Sequence, residues 1–327
     1  MLTYLVIKYR KLGRTSFEVS EVGHGLWGMS GWSGSDDRRS LESLQLGVDL
    51  GCNFLDSAWA YGDGKSDGLL GETLRRNPGK RIVAASKVPP KNRRWPAEGT
   101  LREAFPADHV LQYAEMIRKQ IGTDTIDLLQ YHVWDDSWTD DPDFRNAVET
   151  LKSKNLIRSF GLSLNRWEPW NGLKALRTGL VDAVQVIYNI FDQAPEDELF
   201  PACRELNVGV IARVPLDEGG LGGRLTLETR FPDNDWRSRY FNPENLRATV
   251  ERVERLKPLL PEGMTLPELA LRFILSNPDV STTIVGMRDA AHVRQNVSCS
   301  DAGPLPSDLL RELKNHRWDR KPQRWSA

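Results

Sequence analysis

Along the chain, short apolar runs alternate with stretches whose apolar residues return every three or four positions. Runs at 82–86, 126–131, 159–163, 183–187, 208–213 and 282–285, with weaker ones at 21–26 and 53–55, read as strands. Strands of a parallel sheet are buried on both faces and are therefore apolar nearly throughout. Between them, Leu41, Leu44 and Val48 trace a helix that stops by Gly51, and Val110, Ala114, Ile117 and Ile121 trace another that stops at Gly122. Phe144, Val148 and Leu151 form a third stripe. Asn242-Pro243 offers a cap and a first-turn proline ahead of Leu246, Val250, Val253 and Leu256. Thr265-Leu266-Pro267-Glu268 reads as a capping box before Leu269, Phe273 and Ile274. Strand and helix alternate about eight times with no break in composition that would mark a linker.

That rhythm predicts one α/β domain over residues 1–327, a (β/α)8 TIM barrel of eight parallel strands with long loops on its C-terminal face. A doubly wound open sheet is the alternative. Residues 7–22 carry turn signals at Gly13-Arg14-Thr15 and predict an N-terminal hairpin closing the barrel floor. Residues 1–10 are expected as a flexible N-terminal extension and 297–327 as a C-terminal helix and tail. The stretch 219–242 is too long for an idle connection, and its Arg230, Trp236, Arg237, Arg239 and Tyr240 suggest a working loop.

Composition narrows the partners. At 39% hydrophobic and 27% charged residues, the chain is globular. Its 44 basic residues against 45 acidic ones give a net charge of -1, so no overall field recruits nucleic acid or a membrane surface. Cys52, Cys203 and Cys299 are scattered and odd in number, which implies neither a disulfide framework nor a metal site and predicts a cytoplasmic setting. No apolar stretch reaches membrane-spanning length.

Four polar residues, Asp56, Tyr61, Lys87 and His132, stand at or just beyond the ends of predicted strands. In a parallel barrel the chemistry sits at those ends. Reducing a carbonyl takes a hydride and then a proton on the developing alkoxide. A tyrosine can donate that proton, although its ordinary pKa is about 10. A lysine ammonium beside the phenol favours its ionised form. Asp56 would keep Lys87 charged and oriented, and His132 would steer the carbonyl oxygen. Each residue also has a plainer reading: a turn cap for Asp56, a loop tyrosine for Tyr61, a solvated charge for Lys87, a structural imidazole for His132. Their order at successive strand ends favours the chemical one.

In these residues the chain resembles the aldo-keto reductase superfamily, from about Lys11 to Asn296. Asn53-Phe54-Leu55-Asp56, with Tyr61-Gly62 beyond it, is similar to that family's Asp–Tyr signature. Lys87 after Ser86 and His132 after Leu128-Leu129-Gln130-Tyr131 match its lysine and histidine. Ser163, Asn165 and Gln185 resemble its nicotinamide-binding residues, and Gly286, Arg288, His292, Gln295 and Asn296 its adenosine-phosphate site. The resemblance also places Trp27, Arg213, Pro215, Leu216, Gly219, Gly220 and Arg224 along the cofactor. It implies the barrel fold, NAD(P)H as cofactor and reversible carbonyl reduction. Two positions depart from the pattern. Leu164 separates Ser163 from Asn165, and Arg213 stands where many members carry an aromatic residue against the nicotinamide. A guanidinium plane can also stack on a ring.

Arg288, placed by the resemblance at the 2′-phosphate, favours NADPH, with NAD as a further cofactor. Trp27, Trp32, Trp59, Trp134 and Trp138 are expected to wall the substrate pocket; the acidic pairs Asp135-Asp136 and Asp140-Asp141 read first as solvated loop charges, with hydrogen bonding to substrate hydroxyls as the alternative. The expected function is NADPH-dependent reduction of aldehydes, ketones or sugars with Tyr61 as proton donor. One alternative is an NAD(P)-dependent sugar dehydrogenase working in the oxidative direction. Another is a non-catalytic regulatory subunit of the kind formed by β subunits of voltage-gated potassium channels. The expected partner is a small carbonyl or sugar substrate, with no metal, nucleic acid or membrane; the sequence sets no oligomeric state.

Overall fold

The computed structural model describes residues 6–31 and 34–323. A short hairpin, β1 (Tyr9–Lys11) and β2 (Glu18–Ser20), precedes the barrel strands β3 (Val22–Gly25), β4 (Phe54–Asp56), β5 (Val83–Val88), β6 (Ile126–Tyr131), β7 (Ile157–Ser163), β8 (Ala183–Ile187), β9 (Gly209–Arg213) and β10 (Thr282–Gly286). These eight pair in parallel and in sequence order, and β10 closes the barrel on β3. The helices are α1 (Asp37–Asp49), α2 (Lys65–Arg76), α3 (Leu101–Ala104), α4 (Ala107–Ile121), α5 (Pro142–Ser153) and α6 (Leu173–Leu176), then α7 (Leu199–Leu206), α8 (Arg237–Tyr240), α9 (Pro243–Leu256), α10 (Leu266–Leu275), α11 (Ala290–Ala302) and α12 (Ser307–Lys314). The closed barrel, not the open sheet, is the architecture.

Local signals act where the pattern placed them. Gly122 ends α4 in the left-handed conformation. The Asn242 side chain accepts from the backbone N–H groups of Glu244 and Asn245, and Pro243 occupies the first turn of α9. Thr265 accepts from the N–H of Glu268, the forward half of the expected capping box. The Glu268 carboxylate pairs instead with Arg272.

Two apolar layers hold the barrel. Outward-facing Leu55, Ala84, Leu129, Leu162, Val184 and Val210 pack under the helices with Val110, Ala114, Ile117 and Val148. Inside, Phe54, Val83, Leu128, Ala183, Ile211 and Ile284 meet Leu12, Phe17 and Val19 of the hairpin, which therefore plugs the floor. Each large apolar side chain so buried contributes on the order of 1.5–3 kcal/mol. The plug seats closely because Gly13 and Gly209 lack side chains: a Cβ on Gly13 would lie 2.2 Å from the Gly209 nitrogen. The hairpin also shortens the expected N-terminal extension. Ile7 is buried, residues 9–11 are a strand, and Arg10 bonds Glu21 and three carbonyls at the end of α10 and beyond it. Residues 1–5 lie outside the described chain. At the other end α11 begins at Ala290, ahead of the expected boundary, and α12 and an extended tail follow.

Candidate active site

Parallel register carries one ring of inward-facing polar side chains around the barrel. Asp56 aligns with Ala85, Lys87 with Gln130, Ser163 with Gln185, and Ile187 with Arg213. The Lys87 ammonium donates to Asp56 Oδ2 at 2.6 Å and to the Ser57 carbonyl at 2.7 Å, and lies 3.5 Å from the Tyr61 hydroxyl. The other Asp56 oxygen accepts from Gln185 at 2.9 Å and Gln130 at 3.3 Å. Lys87 is fully buried and lies within β5 rather than beyond its end. Burial alone would pull its pKa down; Asp56 and Tyr61 outweigh that and raise it, so the lysine stays charged.

For Tyr61 the balance differs from the expectation. Burial pushes the phenol's pKa up, Lys87 and Arg213 draw it back, Asp56 opposes them, and the net shift is upward. The phenol is therefore protonated at neutral pH. Its ring meets the His132 ring edge-on at 5.5 Å, and Trp95 meets His132 at 4.6 Å. Burial and the cations Lys87 and Arg213 hold the His132 pKa well below the usual imidazole range, so the ring is neutral.

A cavity of about 180 Å³ opens above these groups, walled by Tyr61, Trp95, His132, Leu164, Arg166, Gln185, Arg213, Pro322 and Gln323. Ser163 and Asn165 also line it. The Asn165 amide is engaged by the Trp134 carbonyl, Glu168 and the Ala97 N–H, so it braces the loop. Arg213 donates to the Leu164 carbonyl while its Nε has no hydrogen-bond partner among the described residues. Burial and neighbouring Arg166 pull its pKa down to about 10, which still leaves it charged at neutral pH. Arg166 pairs with Glu218 at 2.8 Å and packs over the Tyr240 ring.

The remaining expected cofactor residues lie along two turns. Pro215 and Leu216 lead into the turn Asp217–Gly222, where Gly219 has φ 107° and faces open space, and buried Gly220 packs on Thr249. Arg224 beyond it is exposed. In the second turn Gly286 also faces open space, and the Arg288 stem covers Gly28. The Met287 carbonyl between them is pinned by His24 at 2.8 Å and Ser43 at 2.6 Å. His292 is tied to Asp289, Gln295 bonds Thr265, and Asn296 is buried. Arg237 is held by Asp235, while Arg239 is exposed.

The tryptophan wall is corrected in part. Trp134 and Trp138 are core residues, with their N–H groups given to Asp136 and the Gly99 carbonyl, and Trp59 packs on Tyr113. Indoles this large are drawn into the layer between the helices and the loops above them, where they bury most surface. Trp27 meets Trp236 at 5.0 Å, and Trp32 lies outside the described residues. The acidic pairs are structural: Asp135 and Asp141 cap helices, Asp136 takes the N–H groups of Lys174 and Ala175, and Asp140 pairs with Lys174.

Sequence reading missed Gln130, Trp95, Arg166 and the tail. Gln130 was hidden inside an apolar run. The basic-aromatic pair Arg166-Trp167 after Asn165 was a usable signal. Arg320 gave none, being one of several charges in a polar tail. It is nearly fully buried, pairs with Asp192 and, at 2.8 Å, with Asp217, bonds the Tyr240 hydroxyl, and thereby seats Pro322 and Gln323 at the cavity. Among the described residues no cluster could hold a metal ion and no helix is long and apolar enough to cross a membrane.

Comparison with known proteins places this geometry. The model described as the Aldo/keto reductase family matches residues 21–317. The NADH-specific methylglyoxal reductase of Escherichia coli is 27% identical over 92% of this chain and 97% of its own. A probable voltage-gated potassium channel β subunit of Arabidopsis thaliana is 25% identical over 97% and 98%. In fold, the chain is similar to a holo-form aldo-keto reductase from Bacillus halodurans, with a TM-score of 0.76, 24% identity and coverage of 98% and 100%.

Proposed function

The chain belongs to the aldo/keto reductase family of oxidoreductases, and from that premise we propose that it reduces the carbonyl of aldehydes, ketones or sugars with NADPH, using Tyr61 as proton donor. The observation that carries this reading is the unbroken contact Asp56–Lys87–Tyr61 at the base of a cavity that His132 overlooks. When bound, a nicotinamide cofactor supplies the hydride. The residues present fit such a group. Arg166 and Arg213 carry buried N–H groups with no acceptor among the described residues, and Gly219 and Gly286 leave room where a Cβ would stand. Ser163, Gln185 and Arg213 would hold the nicotinamide end, and Arg288 the 2′-phosphate that separates NADPH from NADH.

The chain's own part is proton delivery. The Tyr61 hydroxyl gives its proton to the carbonyl oxygen, and the charged Lys87 beside it stabilises the phenolate left behind. Asp56, fixed by Gln130 and Gln185, keeps the ammonium in place. Neutral His132 can donate a hydrogen bond to the same oxygen and orient it without competing as an acid. The apolar walls from Trp95 and Leu164 keep water from the developing charge.

Tyr61→Phe should lose turnover by at least about a hundredfold, within the usual range for a positioned acid, while NADPH binding followed by fluorescence is retained. Near parental turnover in that variant would refute the donor assignment. The Escherichia coli relative is named for NADH, which favours NAD(H) as the cofactor of a second reading, an NAD(P)-dependent sugar dehydrogenase working in the oxidative direction. Arg288→Ala separates the two: NADPH binding should weaken at least about tenfold with NADH binding little changed, since a charged hydrogen bond is worth about 1.5–3 kcal/mol. The channel-subunit relative favours a regulatory role only if a broad carbonyl panel gives no turnover.

A further inference from the structure

Directly behind Lys87, on the outer side of the barrel wall, stands a second buried carboxylate. Asp67 lies in the first turn of α2 and is fully buried. Its Oδ1 accepts from the Ser86 hydroxyl at 2.8 Å, and Oδ2 has no partner among the described residues. Ser86 precedes Lys87 in β5, so their side chains leave opposite faces of the strand: Lys87 into the barrel, Ser86 toward α2. A second link runs through Ser57, whose carbonyl binds the Lys87 ammonium at 2.7 Å and whose hydroxyl lies 2.6 Å from that of Ser66, the residue before Asp67. The Lys87 ammonium thus contacts Asp56 inside the barrel, and Asp67 stands on the other face of the strand that carries it.

We propose that Asp67 is a positioning residue for proton transfer: its charge state fixes the net charge of the Asp56–Lys87–Asp67 cluster and so how readily Tyr61 gives up its proton. The inference rests on Tyr61 as the donor. Asp56 and Lys87 offset each other, so the cluster is neutral with Asp67 protonated and carries one negative charge with it ionised. The negative cluster holds the proton on the phenol; the neutral one releases it. Burial pushes the Asp67 carboxyl up to about 6, with the Ser57 and Ser86 hydroxyls and Lys87 drawing it down and Asp56 raising it. The change of state therefore falls in the range where an enzyme works. From outside, the neighbouring α1 and α4 contribute apolar Leu44, Val110 and Ala114 to the shared core. Of the nearby titratable side chains, His109 on α4 faces the Pro89 carbonyl and Lys65 on α2 pairs with Asp37.

The test is the pH dependence of kcat for carbonyl reduction, and of alcohol oxidation, in the parent and in Asp67→Asn with saturating NADP(H). The parent should show a limb near pH 6 in reduction that the variant lacks. The ionisation governing oxidation should move down by roughly half a unit or more in the variant. Carbon-13 NMR of the aspartate carboxyls gives a readout without activity: one carboxyl titrating near pH 6, moved upward by Ser86→Ala. This titration stands even if Asp67→Asn does not fold. Superimposable profiles, or an Asp67 carboxyl titrating in the ordinary range, would overturn the proposal. Failure of the underlying reading is distinct, because it appears as an active Tyr61→Phe.

Discussion

Lys87 is an ammonium shut away from water, and its charge persists because Asp56, in contact with it, and Tyr61 outweigh the cost of burial. Removing one member of a buried pair leaves the other uncompensated, at a cost of about 3–5 kcal/mol. Lys87→Met should therefore lower the unfolding free energy in urea by that amount, and adding Asp56→Leu should restore most of it while leaving the enzyme inactive. His24 carries a different pH signature. Burial pulls its pKa down to about 4, although the Met287 carbonyl favours the ring N–H that it accepts. The unfolded chain takes up this proton near pH 6.5, whereas the folded chain resists it down to about 4. Stability from this site is complete above pH 6.5 and is lost as pH falls toward 4, by about 3 kcal/mol in total. Urea midpoints of the parent should fall across that window more steeply than those of His24→Leu. Met287 precedes Arg288, so the same imidazole braces the turn that carries the proposed phosphate contact.

At the scale of elements, the strands at 126–131 and 183–187 were legible to the residue, and the others differ by one or two positions at their ends. Double burial leaves an unmistakable apolar run, and caps such as Asn242 and Gly122 write helix ends into single residues. Strands of three and four residues, as in β4 and β3, give only weak runs because neighbours in the barrel, not propensity, fix their length. The crossing of α2 over α4 was not legible at all. It depends on Gly71, where a Cβ would meet the Ile121 carbonyl oxygen at 2.2 Å. Gly71→Ala should force the helices apart and cost about 1–3 kcal/mol, read from thermal unfolding.

Across the whole molecule, Arg320 joins two loops and a short helix from separate stretches of the chain. It binds Asp192 after β8, Asp217 after β9 and Tyr240 in α8, with its guanidinium over the rings of Trp167 and Trp318. The tail that follows it lines the cavity, and Asp217 opens the turn that carries Glu218, the partner of Arg166. Arg320→Met should leave two buried carboxylates uncompensated, destabilise by about 3–5 kcal/mol, and raise KM for the carbonyl substrate more than it lowers kcat. An unchanged KM would show that the latch holds the fold without shaping the pocket.

The sequence by itself determined the alternation of elements, the barrel, and the residues at its mouth, because burial on both faces and capping chemistry are local properties carried by neighbouring positions. It also held Asp56, Tyr61, Lys87 and His132 in recognisable order. Only the tertiary structure decided which charges meet. Whether Trp134 walls a pocket or fills a core, whether Tyr61 is acidified or held protonated, and whether Arg320 is a tail charge or a buried latch all depend on distance and desolvation between segments far apart in the chain. Those energies are set by what surrounds a group once the chain has closed on itself, and periodicity along the sequence does not encode them.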